Sequence, residues 1–297
     1  MNEKIMSITV TFNPDIPLLE RQLKAIAEQV YQPLIVDNGS SNVADIVNLL
    51  NRLGFIKYFR PLNRNYGLAK AQNVGIEVSV ELGATHVILF DQDSVPERGF
   101  VDGLASMYQE LLSNGINVGA IGPTFYDPES GEDYFPTLYK GPFIVKRKSS
   151  HHTRVTFLIA SGCYFSLATY KNVGVMCEEL FVDYIDIDWS LRCSNQGYEL
   201  YMTDIARMEH SIGDNRITFL GRTMSSHSPL RRYYLIRNSF YMLKRDYVPF
   251  GYKIREVCFN LFRTIIGICT TNQKLKMIKY AFKGLCDGLR GNYGAYK

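Results

Sequence analysis

Short apolar runs alternate with amphipathic segments over residues 7–90. The apolar runs, at 7–12, 33–36, 55–59 and 86–90, are rich in Val, Ile, Leu and Phe and predict β-strands. The segments between them, at 18–30, 43–53 and 68–82, place apolar residues three or four positions apart and predict helices. This alternation is typical of a Rossmann-like, mainly parallel sheet flanked by helices, with a ligand site at the carboxyl ends of the strands.

The pattern changes after residue 118. Residues 118–122 predict a further strand, 127–150 a polar loop with a hairpin, and 156–165 an apolar strand interrupted by small residues. From Pro229 onward the pattern is helical, and we place a boundary near 215–228. We therefore expect an α/β domain over residues 1–220 and a helical extension over residues 221–297.

Composition excludes several classes of protein. The hydrophobic content of 46% and the charged content of 21% are those of a globular chain, not of a disordered or collagen-like one. Arg263 interrupts the longest apolar segment, 257–271, so we expect no membrane span. The start, MNEKIMSITV, has no signal-peptide core, and the six cysteines form no CxxC pair. These features predict a cytoplasmic protein with reduced thiols.

Charge is divided unevenly along the chain. Residues 229–297 contain 14 Lys and Arg against 3 acidic residues, whereas residues 1–228 contain 19 against 26. The C-terminal part therefore carries +11 and the rest −7. Because the C-terminal part also contains 13 Phe and Tyr, it is not a disordered basic arm.

Two aspartates follow the predicted strand 86–90. Asp91 and Asp93 are two residues apart at its carboxyl end, where both carboxylates can reach the same region. Such a pair suits Mg²⁺ or Mn²⁺ together with a substrate diphosphate. The alternative is a solvated turn, in which acidic residues are common.

Other polar residues follow the earlier strands. Asp37, at the end of 33–36, is placed to bind a nucleoside, or else to form an Asx turn before the next helix. Lys70 and Asn73, near the start of the helix 68–82, are placed to face a phosphate or to be solvated. The loop before them lacks the Gly-Lys-Ser/Thr ending of a P-loop.

A dense acidic cluster lies in EELFVDYIDIDWSLR at 178–192. Asp183, Asp186 and Asp188 cannot all share one face of a helix, and an Asp beside Trp and Phe can have a raised pKa and act as a general base. The alternative is a helix N-terminus that Asp residues stabilise. His210 is either structural or a third ligand for the metal of Asp91 and Asp93.

Together these motifs resemble the inverting family 2 glycosyltransferases of GT-A fold, and within them the bacterial rhamnosyltransferase-like branch. The resemblance rests on an ordered set of motifs: VTFNP at 10–14, IVDNGSSN at 35–42, NRNYGLAKAQNVG at 63–75, DQD at 91–93, ASGCYFS at 160–166, DYIDIDWSLR at 183–192, HSIG at 210–213 and RRYYLIRN at 231–238. They span about 230 residues. Each motif is weak alone, and the order makes the set specific.

The resemblance implies roles for individual residues. Thr11 and Asp37 would hold the base and ribose of the donor, with Asn13, Asn65, Lys70 and Asp91 also in the nucleotide site. Asp93, Asp91 and His210 would bind the metal, Mg²⁺ or Mn²⁺. Asp186 would be the catalytic base, although Ile185 replaces the family's usual Glu and leaves Asp188 as an alternative. Asp188 and the arginines Arg231, Arg232 and Arg237 would contact the diphosphate or the acceptor.

The resemblance also implies partners. They are a nucleotide-sugar donor, with dTDP-L-rhamnose as the best candidate, and a glycan acceptor linked to a lipid diphosphate in surface polysaccharide synthesis. The basic, aromatic helices suit an anionic inner membrane, with Phe259, Phe262 and Ile265 entering the bilayer, or else they cover the acidic body. We thus expect a peripheral protein on the inner face of the plasma membrane. The pattern leaves the sugar, base, acceptor, linkage and oligomeric state open.

Two other classes of protein share some of these features. A nucleic-acid-binding protein would use the basic C-terminal part, but it would leave the aspartates at the strand ends without a role, so we expect no nucleic acid partner. A nucleotidyltransferase also pairs aspartates on a nucleotide-binding sheet. Such enzymes usually carry a Gly-rich N-terminal loop, whereas VTFNPDIP at 10–17 has no Gly.

Overall fold

The structure is a computed structural model that describes residues 3–145, 148–210, 215–219, 222–226 and 228–297. Its strands are β1 (Ile5–Thr11), β2 (Gln32–Asp37), β3 (Phe59–Pro61), β4 (His86–Asp91), β5 (Val95–Pro96), β6 (Val118–Tyr126), β7 (Leu138–Lys140), β8 (Phe143–Val145), β9 (Thr153–Val155), β10 (Tyr164–Ser166), β11 (Glu199–Glu209), β12 (Asn215–Phe219) and β13 (Arg222–Ser226). Its helices are α1 (Ile16–Ala27), α2 (Val43–Leu53), α3 (Leu68–Glu81), α4 (Phe100–Ser113), α5 (Leu167–Val173), α6 (Ile185–Asn195), α7 (Pro229–Leu243), α8 (Phe250–Thr270) and α9 (Lys274–Arg290). The predicted domain boundary at 220/221 lies outside the described residues.

The main sheet is mixed, with the strand order β3-β2-β1-β4-β10-β6-β11-β5 and β9 paired to β11. Strands β1 to β4 are parallel, as are β6 and β11, and β10 runs antiparallel between β4 and β6. From β1 the chain moves outward through β2 and β3, then returns to the other side of β1 to form β4. This reversal leaves a crevice beyond the carboxyl ends of β1 and β4.

The predicted β/α alternation is confirmed. The predicted strands 7–12, 33–36 and 86–90 match β1, β2 and β4, and the predicted helices match α1, α2 and α3. The segment 55–59 is mostly a 3₁₀ turn at 56–58, and β3 follows it. The helical C-terminal part and the hairpin in 127–150 are also confirmed, as α7 to α9 and as β7 with β8.

The predicted strand 156–165 is wrong. Two short strands, β9 and β10, flank a non-strand segment instead. Gly162 turns the chain there with φ +75, and its N–H donates to the carbonyl of Leu89 at 2.7 Å. A left-handed backbone conformation ends a strand, and glycine adopts it without steric cost.

The helices pack closely on the sheet and on one another. A Cβ at Gly75 of α3 would lie 2.4 Å from the Ile8 side chain on β1, so only glycine allows this approach. A Cβ at Gly284 of α9 would lie 2.7 Å from the carbonyl oxygen of Tyr233 on α7. The main hydrophobic core includes Met242 of α7 and Tyr252 of α8 beside the sheet residues, so the helical extension and the sheet share one core.

None of the described helices has the combination of length and apolar character that a membrane span requires.

Candidate active site

A cleft of about 660 Å³ opens at the crevice between β1 and β4. Its floor comes from the residues after β4 and β11, one wall comes from residues 182–187, and the other wall comes from α7 and α8. Gln92 bridges the two strand ends, because its Oε1 accepts the N–H of Phe12 at 2.7 Å. The sheet topology thus places the cleft where an α/β fold commonly binds a ligand.

Asp91, Asp93 and His210 meet at the floor of the cleft. One potential ligand atom from each lies within 4.8 Å of the others, and the Nδ1 of His210 is 4.0 Å from an Asp93 carboxylate oxygen. That oxygen, Oδ1 of Asp93, is buried and has no hydrogen-bond partner among the described residues. Two carboxylates and an imidazole form a donor set that suits a divalent cation such as Mn²⁺ or Mg²⁺.

The protonation states of this group also suit a cation. Burial, then the charge of Asp93, raises the pKa of Asp91 to about 7, against an opposing effect of Arg231. Burial lowers the pKa of His210, so its ring is neutral at pH 7 and able to ligate a metal. The Ser94 hydroxyl lies 2.8 Å from the Nδ1 of His210 and fixes the ring orientation. A bound cation would remove the repulsion between the two carboxylates.

Asp186 lies in the first turn of α6 and lines the cleft. Burial is the largest cause that raises its pKa, to about 6, and the charges of Asp91 and Asp183 add to the effect. Its Oδ1 accepts the N–H of Ile187 at 2.9 Å. A carboxylate with a pKa near 6 is still mostly ionised at pH 7 and is a stronger base than an ordinary Asp.

Asp188 does not line the cleft, and the expected contact with the diphosphate or the acceptor is corrected here. Its side chain is fully buried on the other side of α6, where Oδ2 accepts the Nε–H of Arg192 at 2.9 Å and Oδ1 accepts the Tyr247 hydroxyl. Positions 186 and 188 of a helix are about 200° apart. Only one of them can face the cleft, and the structure places Asp186 there.

A strained loop, residues 181–184, leads into α6. Phe181, Asp183 and Tyr184 all have positive φ, between 62 and 66, which is costly for residues with a Cβ. Asn238 of α7 stabilises this conformation, because its Nδ2 donates to the carbonyls of Leu180 at 2.9 Å, Val182 at 2.8 Å and Asp183 at 3.2 Å. The 181–184 loop and the start of α6 are therefore held by α7.

Arg237 supports the same loop, and its expected role in diphosphate binding is corrected. The guanidinium is fully buried, donates to the carbonyl of Leu180 at 2.9 Å and to that of Gly294, and packs against Tyr233 and Tyr234. It is absent from the lining of the cleft. In this position the side chain fixes the backbone and does not face the cleft.

The helical wall of the cleft is basic. Arg231 lines it and pairs with Asp183 at 3.1 Å. Arg232, behind it, is only 4% exposed, and its Nε and Nη1 have no hydrogen-bond partner among the described residues. Burial, then the charge of Arg263, lowers the pKa of Arg232 to about 10. This wall carries more positive charge than the side chains around it neutralise, which favours an anionic ligand.

Arg255 and Arg263 of α8 complete the basic wall, and neither was among the site residues predicted from the sequence. The Phe259 ring lies between them, with the Arg255 guanidinium 3.8 Å and the Arg263 guanidinium 5.5 Å from its centroid. The three residues are four positions apart and so share one face of α8. This spacing indicates that the three side chains lie together, but the positive charge of the segment favoured the interpretation that it contacts a membrane. Phe259 lines the cleft, so the expectation that it enters a bilayer is corrected.

Thr11 and Asp37 are joined at the ends of β1 and β2. Asp37 is 1% exposed, and its carboxylate accepts hydrogen bonds from Thr11 Oγ1 at 2.9 Å, from the N–H groups of Gly39 and Ser40 at 3.1 and 3.0 Å, and from the Ser40 hydroxyl. A carboxylate accepts about four hydrogen bonds, so its capacity is filled. These contacts are those of the Asx turn, the alternative left open by the sequence.

Three further predicted nucleotide residues, Asn13, Asn65 and Lys70, lie at the same edge of the sheet but outside the lining of the cleft. Asn13 is exposed and accepts the N–H of Ser41 at 2.7 Å. Asn65 is exposed and accepts the N–H of Gly67 at 2.9 Å. Lys70 forms an ion pair of 3.2 Å with Glu178. Asn13 and Asn65 thus order the loops that flank the crevice, and Lys70 faces an acidic neighbour.

Comparisons with known proteins agree with this architecture. Residues 7–172 match the family model described as Glycosyl transferase family 2. The chain is 35% identical to a protein named dTDP-rhamnosyl transferase RfbF from Shigella flexneri, over 99% of this chain and 98% of the relative.

Solved structures share the fold at low sequence identity. GalNAc-T7 with UDP, GalNAc and Mn²⁺ matches with a TM-score of 0.60 and 12% identity, over 98% of this chain and 56% of that one. The mannosyltransferase PcManGT from Pyrobaculum calidifontis, in complex with GDP-Man and Mn²⁺, matches with a TM-score of 0.58 and 13% identity, over 98% and 88%. The predicted GT-A-like α/β fold with a helical C-terminal region is confirmed.

We expect the Asn238→Leu variant to be less stable by about 2 to 4 kcal/mol, because it removes the amide that donates to three loop carbonyls, of which that of Leu180 also accepts from Arg237. Equilibrium unfolding in urea measures the change. Asn51→Leu, at an exposed position of α2, is the matched control and should stay within about 0.5 kcal/mol of the unmodified protein. Equal stability of the two variants would show that the amide does not hold the loop.

Proposed function

The chain belongs to glycosyltransferase family 2, and on this premise we propose that it transfers L-rhamnose from dTDP-L-rhamnose to a hydroxyl of a glycan acceptor, with inversion at the anomeric carbon. The transfer would be a step in bacterial surface polysaccharide synthesis. The observation that carries the mechanism is the convergence of the Asp91, Asp93 and His210 group with Asp186 in one cleft. A diphosphate site and a base must lie in the same cleft for a sugar to pass from the donor to the acceptor.

The proposed donor follows from the relative named dTDP-rhamnosyl transferase, which aligns over nearly the whole chain. The nucleoside would lie along the carboxyl ends of β1 and β2. Thr11 and Asp37 would shape this surface by fixing the 37–40 turn, instead of binding the base with side-chain atoms that are already hydrogen-bonded. The diphosphate would then reach the cleft, between the carboxylates at its floor and Arg231 on its helical wall.

Asp91, Asp93 and His210 would hold a divalent cation, Mg²⁺ or Mn²⁺. The support is the buried Asp93 oxygen that has no hydrogen-bond partner within the described ranges, the raised pKa of Asp91 and the neutral imidazole of His210. When bound, such a cation neutralises the negative charge that develops on the departing diphosphate. Arg231 would stabilise the same charge from the opposite wall of the cleft.

Asp186 would act as the catalytic base. The acceptor oxygen forms a bond to the anomeric carbon on the face opposite the diphosphate, and its proton passes to the Asp186 carboxylate. The bond between the anomeric carbon and the diphosphate oxygen breaks, and its electron pair leaves with the diphosphate. A single displacement needs no carboxylate nucleophile, so one base is sufficient.

The acceptor would enter along α8. Tyr139 and Phe157 line that part of the cleft together with Phe259, and aromatic faces of this kind pack against sugar rings. Arg255 and Arg263 form no ion pair among the described residues, so they are available for an anionic group. A glycan linked to a lipid diphosphate offers both a sugar and an anion, and we propose this class of acceptor.

The donor is tested by a turnover screen with dTDP-L-rhamnose, UDP-GlcNAc and GDP-mannose in the presence of Mg²⁺ or Mn²⁺. We expect release of dTDP from dTDP-L-rhamnose to exceed release of the other nucleotides by at least about 100-fold, because missing contacts to the sugar and base cost several kcal/mol. Faster turnover of one of the other donors would overturn the proposed sugar and leave the transferase assignment intact.

The metal site is tested with the Asp93→Ala variant and with EDTA. Loss of one carboxylate ligand should reduce kcat about 100-fold or more, and titration of the apo protein with Mn²⁺, followed by electron paramagnetic resonance, should show weaker binding. Glu129→Ala, an exposed acid away from the cleft, is the control. Full activity in EDTA would contradict the metal role.

The base is tested by comparing two conservative variants. Asp186→Asn should reduce kcat by about 10² to 10⁴ with little effect on donor affinity, because the amide cannot accept the proton. Asp188→Asn should instead reduce stability, since it weakens the buried contacts with Arg192 and Tyr247. A larger kinetic loss in Asp188→Asn, with nearly normal turnover by Asp186→Asn, would assign the base to Asp188.

The pH dependence provides a second measurement for Asp186. The base works only when deprotonated, so kcat/KM should fall as the pH decreases through about 6, the pKa of its carboxyl. Burial is the largest cause of the raised value and persists when a cation neutralises Asp91, so the apparent pKa should stay above that of an ordinary Asp. An acidic limb at the ordinary value would argue against a buried base.

A further inference from the structure

Helix α8 exposes a stripe of large apolar side chains. Phe250, Ile254, Val257, Leu261 and Ile265 follow one another at intervals of three or four residues, which places them on one face of the helix. Each is between 44% and 75% exposed. The opposite face of α8 lines the cleft through Tyr252 and Phe259, so the stripe points away from the body of the protein.

Helix α9 exposes a second stripe of the same kind. Leu275, Ile278, Phe282, Leu285 and Leu289 have the same spacing and are between 38% and 85% exposed. The other face of α9 packs closely on α7 through Gly284 and Gly288. Ten large apolar side chains on two adjacent helices are far more than the single exposed residues that a globular surface normally carries.

The accessible charge of these two helices is entirely positive. Residues 250–290 contain eight Lys and Arg but only two acidic residues, Glu256 and Asp287, and both of these are buried. Lys274, Lys276 and Lys279 form no ion pair among the described residues. Apolar stripes beside unpaired lysines require a partner that offers both an apolar phase and negative charge.

We propose that the outer faces of α8 and α9 bind the surface of an anionic lipid bilayer. The apolar stripes would enter the boundary between headgroups and acyl chains, and the lysines would contact anionic headgroups. A second copy of this chain does not fit as the occupant, because a symmetric contact would bring the same unneutralised lysines together. A polyanion such as a nucleic acid would use the lysines and leave the apolar side chains in water.

This surface corrects one detail of the sequence-based expectation. Of the three residues expected in the bilayer, Phe262 and Ile265 lie on the exposed side of α8, whereas Phe259 belongs to the cleft. The proposal is independent of the donor and of the base. It places the opening along α8 beside the membrane, where a lipid-linked acceptor would be presented.

The test is sedimentation of the full chain with two kinds of vesicle, one of phosphatidylcholine alone and one of equal parts phosphatidylcholine and phosphatidylglycerol. We expect binding to the anionic vesicles that high salt partly reverses, because salt screens the lysines but not the apolar stripes. Lys274→Gln, Lys276→Gln and Lys279→Gln combined should lower the partition coefficient about 100-fold. Leu275→Glu with Phe282→Glu should abolish binding.

The matched control is Val80→Glu, which places the same charge at a 55% exposed apolar position of α3. It should bind vesicles like the unmodified protein, and circular dichroism should show that all variants are folded. Equal binding to both kinds of vesicle, or binding to neither, would overturn the proposal. A dimer in light scattering that Leu275→Glu with Phe282→Glu converts to a monomer would assign the stripes to a second copy instead. Donor turnover by the lysine variant and by Leu275→Glu with Phe282→Glu is measured as well. Normal turnover without the expected change in vesicle binding would contradict the membrane proposal alone, and the proposed function would stand.

Discussion

The hydrogen bonds from Arg237 and Asn238 to the backbone before α6 hold the active site of this glycosyltransferase together. They connect α7 to the 181–184 loop, whose left-handed residues would be costly without compensation. Phe181 extends the connection, since its carbonyl accepts the N–H of Leu68 at the start of α3 and its ring stacks on Tyr234. One loop therefore couples the sheet domain, α6 and the helical extension, and the cleft exists only where the three meet.

The acidic and basic parts of the sequence face each other across the cleft at this junction. Asp91, Asp93 and Asp186 come from the acidic body, and the arginines that face them come from α7 and α8 of the basic part. Each set is incomplete by itself, because Asp91 and Asp186 have raised pKa values and two nitrogens of the buried Arg232 have no hydrogen-bond partner in the part of the chain that the structure describes. A cation on one side and a diphosphate on the other would complete both sets, which is the state in which a sugar-nucleotide donor is bound.

The sequence predicts the fold and part of the site for identifiable reasons. Parallel strands end at one edge, so the residues after β1, β2 and β4 were expected together without knowledge of any contact. The helix period places Asp186 and Asp188 on different faces of α6, but it does not tell which of the two faces the cleft. Arg237 was misassigned because its partners are backbone carbonyls more than 50 residues away in the sequence. Sequence motifs indicate the chemistry of side chains, and they do not show which distant backbone groups those side chains contact. The same holds for Asp37, because the sequence does not show that Thr11, Gly39 and Ser40 already fill the hydrogen-bonding capacity of its carboxylate.

Helix α8 has a proposed role for each of two opposite faces, since one face lines the cleft and the other carries the apolar stripe. An ordinary surface helix has a solvated face on which length changes and substitutions accumulate with little effect. Here a single inserted residue would turn all later side chains by about 100° and remove both surfaces from register at once. During evolution α8 can therefore diverge in residue type but hardly in length, and relatives with a different acceptor are expected to keep its number of turns.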